Sequence, residues 1–249
     1  MDLKADIGIF GGSGFYEFLD NIREVEIDTP YGKPSDKISI GDYKGKKVAF
    51  LPRHGKEHSI PPHKIPYKAN IYAMKELEVK SIISPCSCGS LNPKYAPGDF
   101  VVTDQFIDRT KGREDTYFEG PNVEHISSAQ PYDEKLRKLT INTIKEIGIT
   151  VHETGTVVVI NGPRFSTKAE SNWFRQIGGD IINMTQYPEC YLALELKIPF
   201  VNIALVTDYD SGLEGRNDIK PVTMEDVLEV FNENVKNVKK VIYKIIEKI

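Results

Sequence analysis

The chain has few cysteines: Cys86, Cys88 and Cys190 are the only ones in 249 residues. Their number is odd and nothing suggests secretion, so a disulfide framework is not expected. Cys86-Ser87-Cys88 lacks the two-residue spacer of zinc or redox pairs, and no second pair completes a site, so the thiols read as structural or incidental. Long hydrophobic runs are missing, and with them any segment able to cross a bilayer as a helix. The start, MDLKADIGIF, carries acids where a secretory leader carries basic residues, so a cytoplasmic location is expected. A basic excess is missing as well. Thirty-two Lys and Arg against 36 Asp and Glu leave a net charge of -4, which argues against a general nucleic-acid binder. A small anionic ligand is not excluded, because it needs only a local positive pocket.

What is present is an alternation of short β-rich runs and amphipathic helical windows along the whole chain, the pattern of an α/β fold with a mostly buried sheet. Strands are predicted at 7–10, 37–40, 47–51, 81–84, 100–103, 155–160, 180–184 and 200–207. Continuous apolar runs such as "TVVVI" and "FVNIALVT" predict strands covered on both faces. Helices are predicted to begin near Pro66, Tyr132, Thr167, Pro188 and Thr223. The last carries an apolar stripe of Val227, Phe231, Val235, Val238, Ile242 and Ile245 at helical spacing. No linker interrupts the pattern, so residues 1–249 read as one domain. The segments 52–65, 107–130 and 209–222 are longer than ordinary connections and read as site-forming loops.

Three segments carry candidate chemistry. "LPRHGKEHSIPPHK", residues 51–64, contains an H-x-x-E-H match, whose zinc chemistry needs both histidines on one helix face. Pro52, Gly55, Pro61 and Pro62 argue against that helix, so no metal site is expected. The loop follows a strand, where ligands collect in open α/β sheets, and the planar fork of Arg53, with His54 beside it, suits a phosphate. The loop Gly11-Gly12-Ser13-Gly14 also follows a strand. It fails the dinucleotide and Walker patterns, with Glu17 where a third glycine would stand, but exposed amides and a serine hydroxyl can hold one phosphate. A plain tight turn is the alternative. Finally, "ALVTDYDSG" delivers Asp208 and Asp210 to the end of a buried strand. Two residues apart, both carboxylates can face one ligand with raised pKa values, although an isolated D-x-D more often marks a surface turn.

The blocks "IGIFGGSGFY", "LPRHGKEHSIPPHKIPYKANIYAMKEL", "CGSL", "PGDFVVTDQFIDRT", "GPRFSTKAES", "INMTQYPE" and "ALVTDYD" resemble, in content and order, the 5′-methylthioadenosine phosphorylases of the trimeric purine nucleoside phosphorylase superfamily. The resemblance covers about residues 7–210. It implies a single α/β domain with a mixed, largely buried central sheet flanked by helices. It also implies phosphorolysis of a purine nucleoside to free base and a ribose 1-phosphate, with inorganic phosphate as co-substrate and no cofactor or metal. By the same resemblance Ser13, Arg53, His54, Ser87 and Thr185 surround the phosphate. Cys86 stands where related enzymes carry threonine and offers a thiol, a poorer donor than a hydroxyl.

Met184 would then lie against the ribose and Phe165 on the purine, with Asp208 addressing N7 and Asp210 the exocyclic amine. Met224 and Val227 would line an apolar 5′ pocket suited to a thioether. His125 would reach the 5′ site of a neighbouring subunit in a homotrimer or a dimer of trimers. Protonating N7 turns the purine into a neutral leaving group, so Asp208 is the expected general acid, with Arg53 and His54 completing the catalytic set. An ionised Asp210 accepts from a 6-amino group and repels a 6-oxo group, which favours adenine. The same reaction on 6-oxopurine nucleosides or methylthioinosine is the alternative, and a nucleotide-binding module without chemistry is the reading from another class.

Overall fold

The structure is a computed structural model that describes residues 3–11, 19–213 and 219–249. Its strands are β1 (Ile7–Gly11), β2 (Asp20–Val25), β3 (Ile38–Tyr43), β4 (Lys46–Pro52), β5 (Ser81–Ser90), β6 (Phe100–Val101), β7 (Gln105–Arg109), β8 (Val151–His152), β9 (Thr156–Ile160), β10 (Ile181–Asn183) and β11 (Phe200–Asp208). Its α-helices are α1 (Tyr67–Glu76), α2 (Glu134–Glu146), α3 (Lys168–Gln176), α4 (Gln186–Glu195) and α5 (Met224–Lys248). All strands join one mixed sheet, ordered β2-β3-β4-β1-β5-β10-β9-β7, with β11 on the other side of β5 and β6 and β8 continuing outward from β11.

β5 is the branch point that makes room for a site. β11 runs parallel to it from Ile82 to Gly89, so β1 and β10 must share its opposite side. The β1 pairing ends at Ile83 and the antiparallel β10 pairing begins at Gly89. Among the described residues, 84–88 therefore have no strand neighbour on that side, a gap in mid-sheet of the kind where α/β proteins bind ligands. β1 and β4 end together, Gly11 opposite Pro52, which brings the start of the 52–65 loop to this opening.

Packing follows from strand alternation. Phe10 and Leu51 join Ile71, Met74 and Leu192 of α1 and α4 on one face of the sheet. Ile9 and Phe50 join Ile141, Val241 and Ile245 of α2 and α5 on the other. The two runs expected to be covered on both faces are so, with Val157, Val158 and Val159 and residues 200–207 all buried.

Each predicted strand lies on an observed one, with β5 running on to Ser90 and β6 shortened to two residues. β2, β7 and β8 were not predicted, and β7 takes the first residues assigned to the 107–130 loop. "DNIREV" and "QFIDR" are edge-exposed strands, whose polar faces carry no apolar period to read. The stripe on α5 is buried only from Val238 onward, while Val227, Phe231 and Val235 are partly covered.

Helix α3 starts on a capping box: Thr167 accepts from the Glu170 amide at 3.2 Å while the Glu170 carboxylate accepts from the Thr167 amide at 2.7 Å. Thr167→Ala should cost about 1 kcal/mol of stability, the usual value of such a cap, measured by denaturant unfolding.

Candidate active site

Arg53 leaves the end of β4 and turns inward, 4% exposed. Its Nε and Nη2 donate to the two oxygens of Glu189 on α4, at 2.7 and 2.9 Å. Nη2 also donates to Ser84 Oγ at 2.7 Å, and the Ser84 hydroxyl donates to Glu189 Oε2 at 2.5 Å. Nη1 reaches the Pro85 carbonyl at 3.4 Å. Burial alone would lower the Arg53 pKa, but the Glu189 charge and hydrogen bonds outweigh it and the net shift is upward. The guanidinium is thus held rigidly charged at the gap beside residues 84–88, and Nη1 keeps one proton unspent, since a guanidinium has five.

Cys86 lies in the same gap. Asn183 at the end of β10 and Asn202 in β11 both donate side-chain N–H groups to its sulfur, at 3.3 and 3.2 Å. Asn202 is locked by its bonds to the Ser84 carbonyl at 2.8 Å and the Thr103 hydroxyl at 3.2 Å. Burial raises the Cys86 pKa, with Asn202, Arg53 and Asn183 opposing. The neutral thiol therefore receives two donors and keeps its own proton for another acceptor. Thr185 follows two residues after Asn183, is 7% exposed, and caps α4 without spending its hydroxyl on the helix. Ser87 is half-buried and by strand alternation projects to the face opposite Cys86. Its side chain makes no described bond to the Arg53 cluster. Ser13 lies outside the described residues.

His54 follows Arg53 into a series of turns. No helix forms through 54–58, and the His54 and His58 rings stack at 4.5 Å. The zinc-protease pattern thus lacks its scaffold, and among the described residues no group of three or more His, Cys, Asp or Glu could hold a metal ion. Nδ1 of His54 pairs with the Ile60 carbonyl at 2.9 Å. Since a carbonyl only accepts, Nδ1 carries the proton. Burial pushes the His54 pKa down to about 4, with the Arg53 and His58 charges adding and the Ile60 carbonyl opposing. At neutral pH the ring is uncharged and its Nε2 is an acceptor. It suits the O–H of a hydrogen phosphate or of a sugar, not a bare anionic oxygen.

The carboxylate pair sits at the other end of the gap. Asp208 ends β11 opposite Gly89, where the register shifts. A Cβ on Gly89 would lie 2.8 Å from Asp208 Oδ1 and 3.2 Å from Asp210 Cβ, so the glycine of "CGSL" is what admits the pair. Asp208 accepts from the Thr207 hydroxyl at 2.8 Å and the Asp210 amide at 2.7 Å. Burial nevertheless raises its pKa to about 6; those two bonds oppose, and the charges of Asp210 and Asp226 add. Asp210 is 2% exposed. Burial raises its pKa too, tempered by the nearby Ser171 and Ser166 hydroxyls, yet neither completes Oδ2, which is buried without a hydrogen-bond partner among the described residues. A buried carboxylate oxygen held open in this way is a vacant acceptor for a ligand donor.

Between the two ends, Met184 packs against Gly162, where a Cβ would fall 2.6 Å from its sulfur. Phe165 is partly buried, and the next residue, Ser166, accepts at its carbonyl from the Ser211 hydroxyl. That bond holds the "GPRF" segment beside Asp210. The Val222 amide donates to the Asp210 carbonyl at 2.8 Å, which ties the entry to α5 to the same place. Met224 in that first turn is 50% exposed and Val227 partly covered. His125 is exposed and makes no described contact with Arg53, Asp208 or Asp210. Sequence reasoning missed Glu189, Ser84, Asn183 and Asn202. Asn202 had a signal, as the one polar side chain inside the apolar "FVNIALV", whereas nothing local to Arg53 points to Glu189.

A rigid guanidinium and open donors at one end of a mid-sheet gap, and a carboxyl whose pKa burial raises to about 6 at the other, suit an enzyme that holds an oxyanion and protonates a leaving group. The chain belongs to the phosphorylase superfamily, whose family model matches residues 6–247. It is 54% identical over 248 residues to an S-methyl-5′-thioadenosine phosphorylase of Thermofilum pendens, covering 99% of this chain and 93% of that one. It is 50% identical over 251 residues to another of Nitrosopumilus maritimus, covering 100% and 94%. Among solved structures, a methylthioadenosine phosphorylase from an antarctic soil metagenomic library superposes with a TM-score of 0.91 at 42% identity, over 98% of this chain and 85% of that one. A methylthioadenosine phosphorylase of Schistosoma mansoni, in complex with adenine, gives 0.89 at 36% identity, over 97% and 91%.

Proposed function

We propose that the chain catalyses phosphorolysis of 5′-methylthioadenosine to adenine and 5-methylthioribose 1-phosphate, a pentosyl transfer that salvages the purine. The observation that carries this reading is the pairing of Arg53 and Asp208 at opposite ends of one gap in the sheet. Cys86 and Gly89 stand three residues apart, roughly 10 Å of strand, a span that takes a ribose with its contacts. The relatives' names supply the substrate, and the residues supply the chemistry.

Phosphate is held by Arg53, Cys86, Thr185 and His54, with the Ser13 hydroxyl and the Ser87 backbone amide as further ligands, and an oxygen of it attacks C1′. The C1′–N9 bond breaks as the C1′–O bond forms, the electron pair passes to the purine, and Asp208 delivers a proton to N7. The anion also stabilises positive charge developing on the sugar. Asp210 accepts from the 6-amino group, Phe165 packs on the base and Met184 on the ribose. Met224 and Val227 receive the methylthio group. His125 serves a neighbouring subunit in a homotrimer or dimer of trimers, which accounts for its exposure in a single chain. The enzyme acts in the cytoplasm, and no cofactor enters the reaction beyond phosphate as co-substrate.

Adenine should be released from 5′-methylthioadenosine only when phosphate is supplied, with 5-methylthioribose 1-phosphate as the second product. Equal release in phosphate-free buffer would identify a hydrolase instead, and a higher kcat/KM for inosine-type substrates would transfer the reading to 6-oxopurines.

A further inference from the structure

Arg113 lies on the segment between β7 and α2, outside every motif discussed above. Its Nη2 donates to the carbonyls of Met184 at 2.7 Å, Asn161 at 3.1 Å and Ile160 at 3.3 Å. Its Nη1 donates to the carbonyl of Tyr187 and to the Tyr67 hydroxyl at 3.2 Å. These acceptors belong to the end of β9, the turn from β10 into α4, and the start of α1. All are neutral, and the guanidinium also lies over the Tyr67 ring, 5.0 Å from its centroid. The Tyr67 hydroxyl in turn donates to the Pro62 carbonyl at 2.9 Å, reaching back into the loop that carries Arg53 and His54. Neighbours fasten the strap: Asp115 accepts from the Tyr187 hydroxyl at 2.8 Å, and Glu195 accepts from the Thr116 hydroxyl and the Tyr117 amide, both at 2.7 Å.

We propose that Arg113 is a positioning residue that gathers the strand-end carbonyls around Met184 and Tyr187 and so sets where Met184 meets the ribose and Thr185 meets the phosphate. Carbonyls at strand and helix boundaries have no ladder partner and must find a donor. One planar guanidinium supplies donors to several at once, which a lysine ammonium cannot do in a fixed plane. Met184 and Thr185 are adjacent, so a shift of that turn moves both substrates' contacts together. The inference rests on the phosphorolysis reading of the same site.

The test uses the full chain, with methylthioadenosine and phosphate varied separately, in wild type, Arg113→Ala, Arg113→Lys and Tyr67→Phe. For Arg113→Ala, kcat/KM should fall about a hundredfold, the cost of misplacing reacting groups by an ångström or so, with KM rising for both substrates. Arg113→Lys should stay well below wild type. Millimolar guanidinium should recover part of the Arg113→Ala activity where sodium chloride at equal ionic strength does not. Tyr67→Phe should act in the same direction and combine less than additively with Arg113→Ala. Unchanged kinetic constants in Arg113→Ala overturn the proposal, as does full activity in Arg113→Lys, or a loss indifferent to guanidinium and matched by a lowered fraction of folded protein. An inactive wild type would instead overturn the phosphorolysis reading.

Discussion

Asp208→Asn should lose most of its turnover and yet gain stability at neutral pH when unliganded. The activity loss follows from removing the proton donor, worth about 10²- to 10⁴-fold in kcat/KM with adenine nucleosides. The stability gain follows from linkage. The Asp208 carboxyl ionises near 3.8 unperturbed and at about 6 in the fold, where burial disfavours its charge. Between those values the folded state binds more protons than the unfolded one, so stability falls as pH rises through the window, and the cost is complete above about pH 6. A shift of that size corresponds to roughly 3 kcal/mol. Asparagine does not ionise, so the variant escapes this cost. Its thermal midpoint should exceed that of wild type at pH 7.5 and match it near pH 4. The wild-type rate should decline above pH 6 as the acid form is depleted, while His54, already neutral, adds no limb between pH 5 and 8. An Asp208→Asn enzyme with undiminished adenine release, or one no more stable than wild type at pH 7.5, would remove Asp208 as the acid.

Part of this arrangement was readable because the sheet's centre is written in apolar runs. The eight predicted strands are those whose side chains pack on at least one face, and the capped helix starts at Thr167 and Thr223 carry explicit polar signals. β2 and β7 escaped because an exposed edge strand takes whatever polar residues solvent allows. β5 escaped in part because Pro85 and Gly89 look like strand breakers. Pro85 is tolerated because that stretch of β5 has no described partner strand on one side, and Gly89, where the β10 pairing begins, makes room for Asp208. Arg53, Asp208 and Asp210 could be named from residue type and position. Glu189 and Arg113 could not, since Glu189 lies 136 residues from its partner Arg53 and Arg113 lies 71 residues from its partner Met184, and no local pattern records such a pairing.

Arg53→Met should be the most damaging single change for both folding and phosphate use, because it strands Glu189, which is fully buried, leaving the Ser84 hydroxyl as its one side-chain hydrogen-bond partner among the described residues. Removing one partner of a buried pair costs about 3–5 kcal/mol, most of it the uncompensated charge left behind. Glu189→Gln should do comparable harm from the other side, by leaving the guanidinium buried without its counter-charge. The double variant Arg53→Met/Glu189→Leu separates folding from function. With both charges gone, apolar side chains of similar size should recover most of the stability, because replacing a whole buried pair is far milder than halving it. Phosphate saturation should not return, since the anion's fixed donor is still missing. Denaturant unfolding and the phosphate dependence of the rate, measured on the three variants, decide the matter. A double variant as unstable as either single would mean that packing around Ser84 and Pro85, not charge, holds this corner. A normal phosphate KM in Arg53→Met would mean that the pair is architecture alone, and the anion would then have to be held by Cys86, Thr185 and backbone amides along the open side of β5.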